Sequence, residues 1–130
     1  MTKNLDTLFN EARRHAANIV YTHNLPEGRR GAWHAPTRTI YLRYGMTQAQ
    51  QAATLQHELI HAELGHEGIQ SPETEQRVNE LTALRLISPP EYAIAETAYG
   101  ANAFTLAREL DVTPTIIEAY QRVLDRSQRG

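Results

Sequence analysis

The chain has 130 residues, of which 41% are hydrophobic and 22% are charged, and it carries a formal net charge of −2. This composition is ordinary for a globular protein and argues against disorder, and the small net charge excludes a strong overall attraction to DNA or to anionic membranes. The chain contains no cysteine, which excludes disulfides and thiolate zinc sites, so any metal must be bound by histidine and carboxylate side chains.

The length and the hydropathy pattern also bound the organisation of the chain. A chain of 130 residues is most simply one domain, long enough to bury a core. The N-terminus lacks an apolar signal region, and no apolar run reaches membrane-spanning length. We therefore expect a cytoplasmic protein without a membrane partner, folded as a single domain over residues 1–130.

The first predicted element is a helix. Apolar residues recur at helical spacing from Asn4 to about Tyr21, which predicts an amphipathic helix over that range. The segment 24–30 contains Pro26 and Gly28 and is predicted to be a loop.

A small sheet is expected next. The stretches 31–34 and 37–44 are rich in aromatic and β-branched residues, and Ala35-Pro36 lies between them, which indicates a hairpin. Ile40 and Leu42 would share one face of the second strand. That strand is a candidate edge for pairing with an extended substrate peptide, and an ordinary sheet strand is the alternative interpretation.

Sequence signals bound the second helix at both ends. Thr47 followed by Gln50 matches a capping box at its start, and Gly65 is a natural stop. Its buried side is expected to consist of four small or branched apolar residues: Ala52, Leu55, Leu59 and Ala62.

Four further helices are expected in the rest of the chain. Ser71-Pro72 supplies an N-cap and a first-turn proline for a helix that reaches about Ile87 and is closed by Pro89-Pro90. Shorter helices follow at 91–99, 103–110 and 114–127.

The second helix contains one HExxH motif, the strongest chemical signal in the sequence. His57 and His61 lie about 40° apart around the helix axis and about 6 Å apart along it. Both imidazoles can therefore face one metal ion, and Glu58 can reach a water molecule on that ion. A catalytic zinc site usually takes three protein ligands, so a third His, Asp or Glu is required.

The residues directly after the motif are poor candidates for the third ligand. The pattern HExxHxxGxxH fails because Gly65 and His66 are each displaced by one residue, and Glu67 in the third-ligand position is only a weak rival. Helix geometry turns His66 about 140° away from His61, which points it off the site. His15 and His23 are expected at the surface.

The better candidate for the third ligand is Glu75. It lies in the first turn of the third helix, where the helix dipole favours a negative charge. Asn79 lies one turn further on and would orient a ligand histidine through its second ring nitrogen. Glu73 and Glu80 are alternatives to Glu75, and Glu58 would transfer protons as the general base and acid.

Together these residues resemble the ImmA/IrrE family of metallopeptidases. The resemblance runs from about Arg30 to Val123 and includes a tryptophan-containing strand. Its most specific parts are the segments 39–42, 54–62 and 75–87.

The resemblance implies a fold and a function. The fold is expected to be α+β and mainly helical, a zincin-like (minimal gluzincin) domain with a small β-sheet. One Zn²⁺ would be bound by His57, His61 and Glu75, with Glu58 as the catalytic acid and base. Such proteins are implied to be endopeptidases that cleave a helix-turn-helix transcriptional repressor, relieving repression of a mobile element, a prophage or a stress response.

Hydrolysis of this type needs a donor that faces the developing oxyanion. The candidates for oxyanion or substrate contacts are Tyr44, His34 and Tyr92. The alternative is that both tyrosines are half-buried amphipathic residues and that His34 is a loop residue.

The last two helices have the rhythm of a helix-turn-helix over 106–117. A DNA-binding second helix should be basic, but Glu118 and Asp125 here oppose Arg122 and Arg126, so direct nucleic-acid binding is not expected. We expect a zincin core over residues 1–100 and a C-terminal helical pair over 101–130 that serves packing or recognition.

A second hypothesis belongs to another functional class. It describes a non-catalytic, zinc-containing regulatory module that binds a repressor or a toxin–antitoxin partner. An intact Glu58 argues against this hypothesis, because a structural metal site needs no base.

Overall fold

The structure is a computed structural model that describes residues 4–129, so residues 1–3 and Gly130 of the expected domain lie outside the described part. Within residues 4–129 the chain forms six helices and one three-stranded sheet, which confirms the α+β, mainly helical class. The elements in chain order are α1 (Leu5–Ala12), β1 (Asn18–Thr22), β2 (Gly31–His34), β3 (Thr39–Arg43), α2 (Gln48–Glu63), α3 (Pro72–Leu86), α4 (Pro89–Tyr99), α5 (Ala103–Leu110) and α6 (Pro114–Arg129). None of these described helices has both the length and the apolar character needed to cross a membrane.

The first helix is shorter than predicted, and the end of the predicted range is a strand. Helix α1 ends at Ala12, and residues 18–22 form β1. The side chains alternate in β1, with Ile19 and Tyr21 half-buried and Val20 exposed. The prediction was wrong because the apolar spacing of this segment fits a strand as well as a helix, and parallel pairing with the distant β3 decides between them.

Strand β3 occupies the centre of the sheet. It pairs in parallel with β1 and in antiparallel with β2, so the predicted hairpin between β2 and β3 is confirmed. Ile40 and Leu42 are fully buried, as expected for two residues on one face. Because β3 is paired on both sides, it has no free edge for a substrate peptide, and the prediction that it could pair with one is wrong. The edge strand that packs against α2 is β2.

The predicted ends of α2 and α3 are confirmed. In the capping box, N of Gln50 donates to Oγ1 of Thr47 and N of Thr47 donates to Oε1 of Gln50, both at 3.1 Å. Helix α3 begins after its N-cap Ser71 and ends at Leu86, because the backbone at Ile87 is extended. These two helices carry all of the proposed metal ligands.

The proline pair Pro89-Pro90 begins a helix as well as ending one. Ser88 is the N-cap of α4, which therefore begins at Pro89, two residues earlier than predicted. Proline suits the first helical turn, where its missing N–H would have no intrahelical partner. Helix α5 has its predicted bounds, and α6 continues to Arg129.

One buried apolar cluster joins the two ends of the described chain. It includes Leu8 of α1, Leu55 and Leu59 of α2, and Ile117 and Tyr120 of α6. The C-terminal helices thus pack into the same core as α2. The expected division into residues 1–100 and 101–130 stays a prediction.

Candidate metal centre

Three side chains from α2 and α3 bring their ligand atoms together. The ligand atoms of His57, His61 and Glu75 all lie within 4.8 Å of one another. Nε2 of His61 lies 3.1 Å from Nε2 of His57 and 2.6 Å from Oε1 of Glu75, and Nε2 of His57 lies 3.5 Å from Oε2 of Glu75. The fold therefore groups the ligand set predicted from the sequence.

A hydrogen bond to Asn79 determines which ring nitrogen of His57 carries the proton and which one offers a lone pair to the metal ligands. Oδ1 of Asn79 lies 2.9 Å from Nδ1 of His57, the contact predicted from the sequence. Because an amide oxygen can only accept, Nδ1 carries the proton and Nε2 presents a lone pair to the cluster. Burial lowers the pKa of both His57 and His61, although the charge of Glu75 opposes this effect. Burial thus favours the neutral imidazoles that a metal requires.

The donor set fits a divalent cation. Oε1 of Glu75 is buried and lies 2.6 Å from Nε2 of His61, and beyond this contact it has no hydrogen-bond partner among the described residues. Converging lone pairs and a carboxylate repel one another unless a positive charge lies between them. Two imidazole nitrogens and one carboxylate are the ligands that catalytic zinc sites commonly use.

Glu58 lies beside these ligands with little access to solvent. Its exposed fraction is 5%. Burial, aided by the negative charge of Glu75, raises the pKa of Glu58 to about 7, whereas the positive charge of Arg29 opposes the rise. A carboxyl group with a pKa near neutrality is suited to both accept and release a proton.

Gly31 allows β2 to approach α2 beside Glu58. A Cβ atom at this position would lie 2.4 Å from Cγ2 of Thr54, 3.0 Å from the carbonyl oxygen of Tyr41 and 3.4 Å from Cγ of Glu58. Only glycine fits this space without displacing a neighbour. The sheet edge and the HExxH helix can therefore form two walls of one cleft.

Two adjoining recesses meet at Glu58, Glu75 and Arg29. The larger recess, of about 520 Å³, also reaches Thr113 and Ile116 at the start of α6, and the smaller, of about 250 Å³, reaches the segment 66–70. Arg29 lines both recesses, and its guanidinium donates to the carbonyl oxygen of Gly31 at 3.4 Å. Arg29 was not predicted from the sequence, because the sequence of a loop does not indicate which groups a cation in it will face.

His66 lies next to the metal ligands, contrary to the prediction. Its Nδ1 is 2.8 Å from Nδ1 of His61, and the ring centroids are 5.1 Å apart. The prediction was wrong because it assumed helical geometry as far as residue 66. Helix α2 ends at Glu63, and Gly65 has a φ of +71°, which reverses the direction of the backbone. His15 and His23 are exposed, as predicted.

The other carboxylates considered as third ligands are occupied elsewhere or exposed. Glu67 and Glu73 are exposed and belong to no described group of metal-binding side chains. Glu80 is buried, but its carboxylate binds Arg126 and Arg122 of α6 at 2.5 and 3.3 Å. Those hydrogen bonds, led by the one from Arg126, lower the pKa of Glu80 to about 2. Among these carboxylates only Glu75 joins the two histidines.

None of the three candidates for oxyanion contacts lines either recess. Tyr44 stacks on Tyr21 outside the cleft, with ring centroids 5.7 Å apart. His34 is exposed at the end of β2, and its Nδ1 contacts Oγ1 of Thr37. Tyr92 is buried, and its hydroxyl group donates to Glu96 at 2.7 Å. Arg29, in contrast to these three residues, lines both recesses.

Comparisons with known proteins agree with this architecture. A Mycobacterium tuberculosis transcriptional regulator has a similar fold, with a TM-score of 0.60 and 18% sequence identity. The match covers 92% of this chain but only 41% of that structure, so this chain spans less than half the length of its structural relative. A search of curated proteins gives no match. Residues 24–121 match the model of the IrrE N-terminal-like domain, and the chain therefore belongs to the Peptidase_M78 family, which confirms the family predicted from the sequence.

Proposed function

We propose that this chain is a zinc-dependent endopeptidase. The single observation that carries the proposal is the convergence of His57, His61 and Glu75 beside the buried Glu58 in an open cleft. Membership of a peptidase family supports the same reaction class. The proposal includes a zincin-like (minimal gluzincin) domain with its core in residues 1–100 and a C-terminal helical pair in residues 101–130.

The metal and Glu58 have separate tasks in the proposed reaction. His57, His61 and Glu75 hold the ion, which when bound supplies Lewis acidity for the scissile carbonyl group and for a water molecule. Glu58 takes a proton from the attacking water and gives it to the departing amine nitrogen. The raised pKa of Glu58 suits both transfers, because neither protonation state is strongly favoured near neutral pH.

Arg29 and β2 supply the proposed contacts to the substrate. The cation of Arg29 faces the cleft, where it can stabilise negative charge on the carbonyl oxygen during attack. N of Arg43 donates to the carbonyl oxygen of Arg30, so in the alternating antiparallel ladder Gly31 and Trp33 turn their backbone groups to the free edge. An extended peptide can pair with that edge and cross the cleft.

The proposed substrate is a helix-turn-helix transcriptional repressor. The family membership supports this choice, and the transcriptional regulator with the similar fold is consistent with it. Cleavage would relieve repression of a mobile element, a prophage or a stress response. The C-terminal pair α5–α6, which borders the larger recess, is proposed to contact the repressor.

Direct DNA binding is not part of the proposal. Arg122 and Arg126 of α6 are bound to the buried Glu80, so their charges are partly neutralised within the fold. A phosphate backbone would have to compete with that ion pair. The cytoplasmic location expected from the sequence is consistent with a repressor as the substrate.

The proposal is tested by co-expressing the chain with a helix-turn-helix regulator from the same genome and identifying fragments by mass spectrometry. Glu58→Gln should retain zinc, measured by atomic absorption, and should slow cleavage by about 10²–10⁴-fold because the general base is lost. Glu75→Ala, the matched control, should lose both zinc and cleavage.

Two results would contradict the proposal. Cleavage by Glu58→Gln at the wild-type rate would exclude the proposed base. A zinc-loaded wild-type chain that binds the regulator tightly without cutting it would instead identify a non-catalytic regulatory module that binds a repressor or a toxin–antitoxin partner.

A further inference from the structure

We infer that His66 is a positioning residue, which holds His61 in the tautomer and ring orientation needed to bind the metal. The inference rests on the proposed function, because it takes His61 to be a metal ligand. His66 would orient the ring of His61, as Asn79 orients the ring of His57.

The backbone at the end of α2 brings His66 back over its last turn. N of His66 donates to the carbonyl oxygen of His61 at 3.0 Å, and N of Gly65 donates to that of Ala62 at 3.2 Å. These two bonds around a left-handed residue form a Schellman motif, for which Gly65 supplies the positive φ of 71°. The same motif that ends the helix therefore fixes His66 next to His61 through the backbone.

The side-chain contact then determines where the proton of His61 resides. Nε2 of His61 faces Nε2 of His57 and Oε1 of Glu75, so it must offer a lone pair to bind an ion there. A neutral imidazole with a free Nε2 carries its proton on Nδ1. That proton points at Nδ1 of His66, 2.8 Å away, which accepts it. His66 consequently carries its own proton on Nε2.

The contact with His66 stabilises the tautomer of His61 that carries its proton on Nδ1, which burial alone would not favour. His61 is only 6% exposed, so a proton on its Nδ1 without an acceptor would leave a buried donor unpaired. The ring of His61 would then be favoured in the other tautomer, with the proton directed at the ligand cluster. His66 removes this alternative, and the two ligand histidines are thereby held from opposite ends by Asn79 and His66.

The test measures Zn²⁺ affinity of the full chain by competition with a chromophoric chelator. His66→Leu keeps the bulk of the side chain but removes the acceptor, and should weaken Zn²⁺ binding by about 10- to 100-fold. His66→Asn should restore most of the affinity, because its Oδ1 takes the position of Nδ1 and can only accept. Asn79→Leu should weaken binding similarly, whereas His23→Leu, which changes an exposed histidine outside the site, should not.

Loading the variants with Co²⁺ adds a readout that general destabilisation would not change. His66→Leu should alter the d–d spectrum of the bound ion, and His66→Asn should return it towards that of the wild type. Wild-type affinity and spectrum for His66→Leu would overturn the inference, as would a folded His66→Asn that binds as weakly as His66→Leu. A wild-type chain that binds no Zn²⁺ at all would instead overturn the proposed function.

Discussion

At the scale of single residues, the absence of a side chain at Gly31 sets how closely the sheet approaches the HExxH helix. A side chain at position 31 would first meet a methyl group, Cγ2 of Thr54. It would next meet the backbone oxygen of Tyr41, which cannot rotate away. Cγ of Glu58 is also in contact range. The spacing that makes the cleft therefore depends on one small residue in β2 and one short side chain in α2.

Gly31→Ala is expected to destabilise the protein by about 1–3 kcal/mol, because the added methyl group overpacks the contact between β2 and α2. Urea unfolding measures the change. Thr54→Ser removes the obstructing methyl group and keeps the hydroxyl group, so Gly31→Ala/Thr54→Ser should regain part of the loss. Equal free energies of unfolding for the wild type and Gly31→Ala would contradict this account, as would a double variant no more stable than Gly31→Ala.

At the scale of elements, the contact between α3 and α6 contains a buried carboxylate, which pairs with Arg77 of α3 itself and with two arginines of α6. Glu80 is 2% exposed, and Arg122 and Arg126 reach it from α6. A buried carboxylate held in this way stays ionised well below its usual pKa. The same α3 helix carries Glu75, so the ion pair also anchors one of the proposed metal ligands.

The ion pair predicts how stability depends on pH. The pKa of Glu80 falls from its ordinary 4.5 to about 2 in the folded chain, so its contribution is complete above pH 4.5 and is lost as the pH falls towards 2. Glu80→Gln should cost about 2 kcal/mol at pH 7 and much less at pH 3. Urea unfolding at both pH values measures this, with the exposed Glu73→Gln as control. A cost for Glu80→Gln that is the same at pH 7 and pH 3 would exclude the assigned role.

Helices, strands and site residues could be predicted from the sequence where residues close by in the chain determine them. The capping box at Thr47 and the proline after Ser71 define helix starts locally, and spacing along α2 and α3 is enough to suggest His57, His61 and Glu75. Strand β1 could not be distinguished from a helix, because its partner β3 is remote in sequence.

Arg29 was not predicted, and His66 was predicted to point away from the site, for a related reason. Both lie in irregular segments, where no periodic rule relates a side chain to its neighbours. The position of His66 follows from the backbone reversal at Gly65, which sequence spacing alone describes only as a helix end.

At the scale of the whole molecule, α6 contributes to the same core as the first helix. Ile116, Ile117 and Tyr120 are buried in the cluster that includes Leu8 and Leu55. Helix α6 also supplies two of the cationic partners of Glu80 and part of the wall of the larger recess. The C-terminal pair is therefore bound to the remainder of the molecule by apolar and ionic contacts together.

A chain that ends at Gly100 is expected to lose cooperative unfolding, because its core would be open to solvent and Glu80 would lose its two partners from α6. Circular dichroism during urea titration measures the transition, with the full chain as reference. A shortened chain that unfolds in one transition near the wild-type midpoint would show that residues 1–100 fold independently.

The free edge of β2 also bears on self-association. An unpaired strand edge can accept another copy of the chain as readily as a peptide, and such pairing is a common start of aggregation. Here the unpaired edge is only four residues long, and Arg29 and Arg30 precede it. Two molecules that paired in parallel along this edge would bring these cations together, whereas a peptide without cations at that end would not. The short edge, preceded by two cations, therefore opposes parallel pairing between copies of the chain and remains available to a peptide.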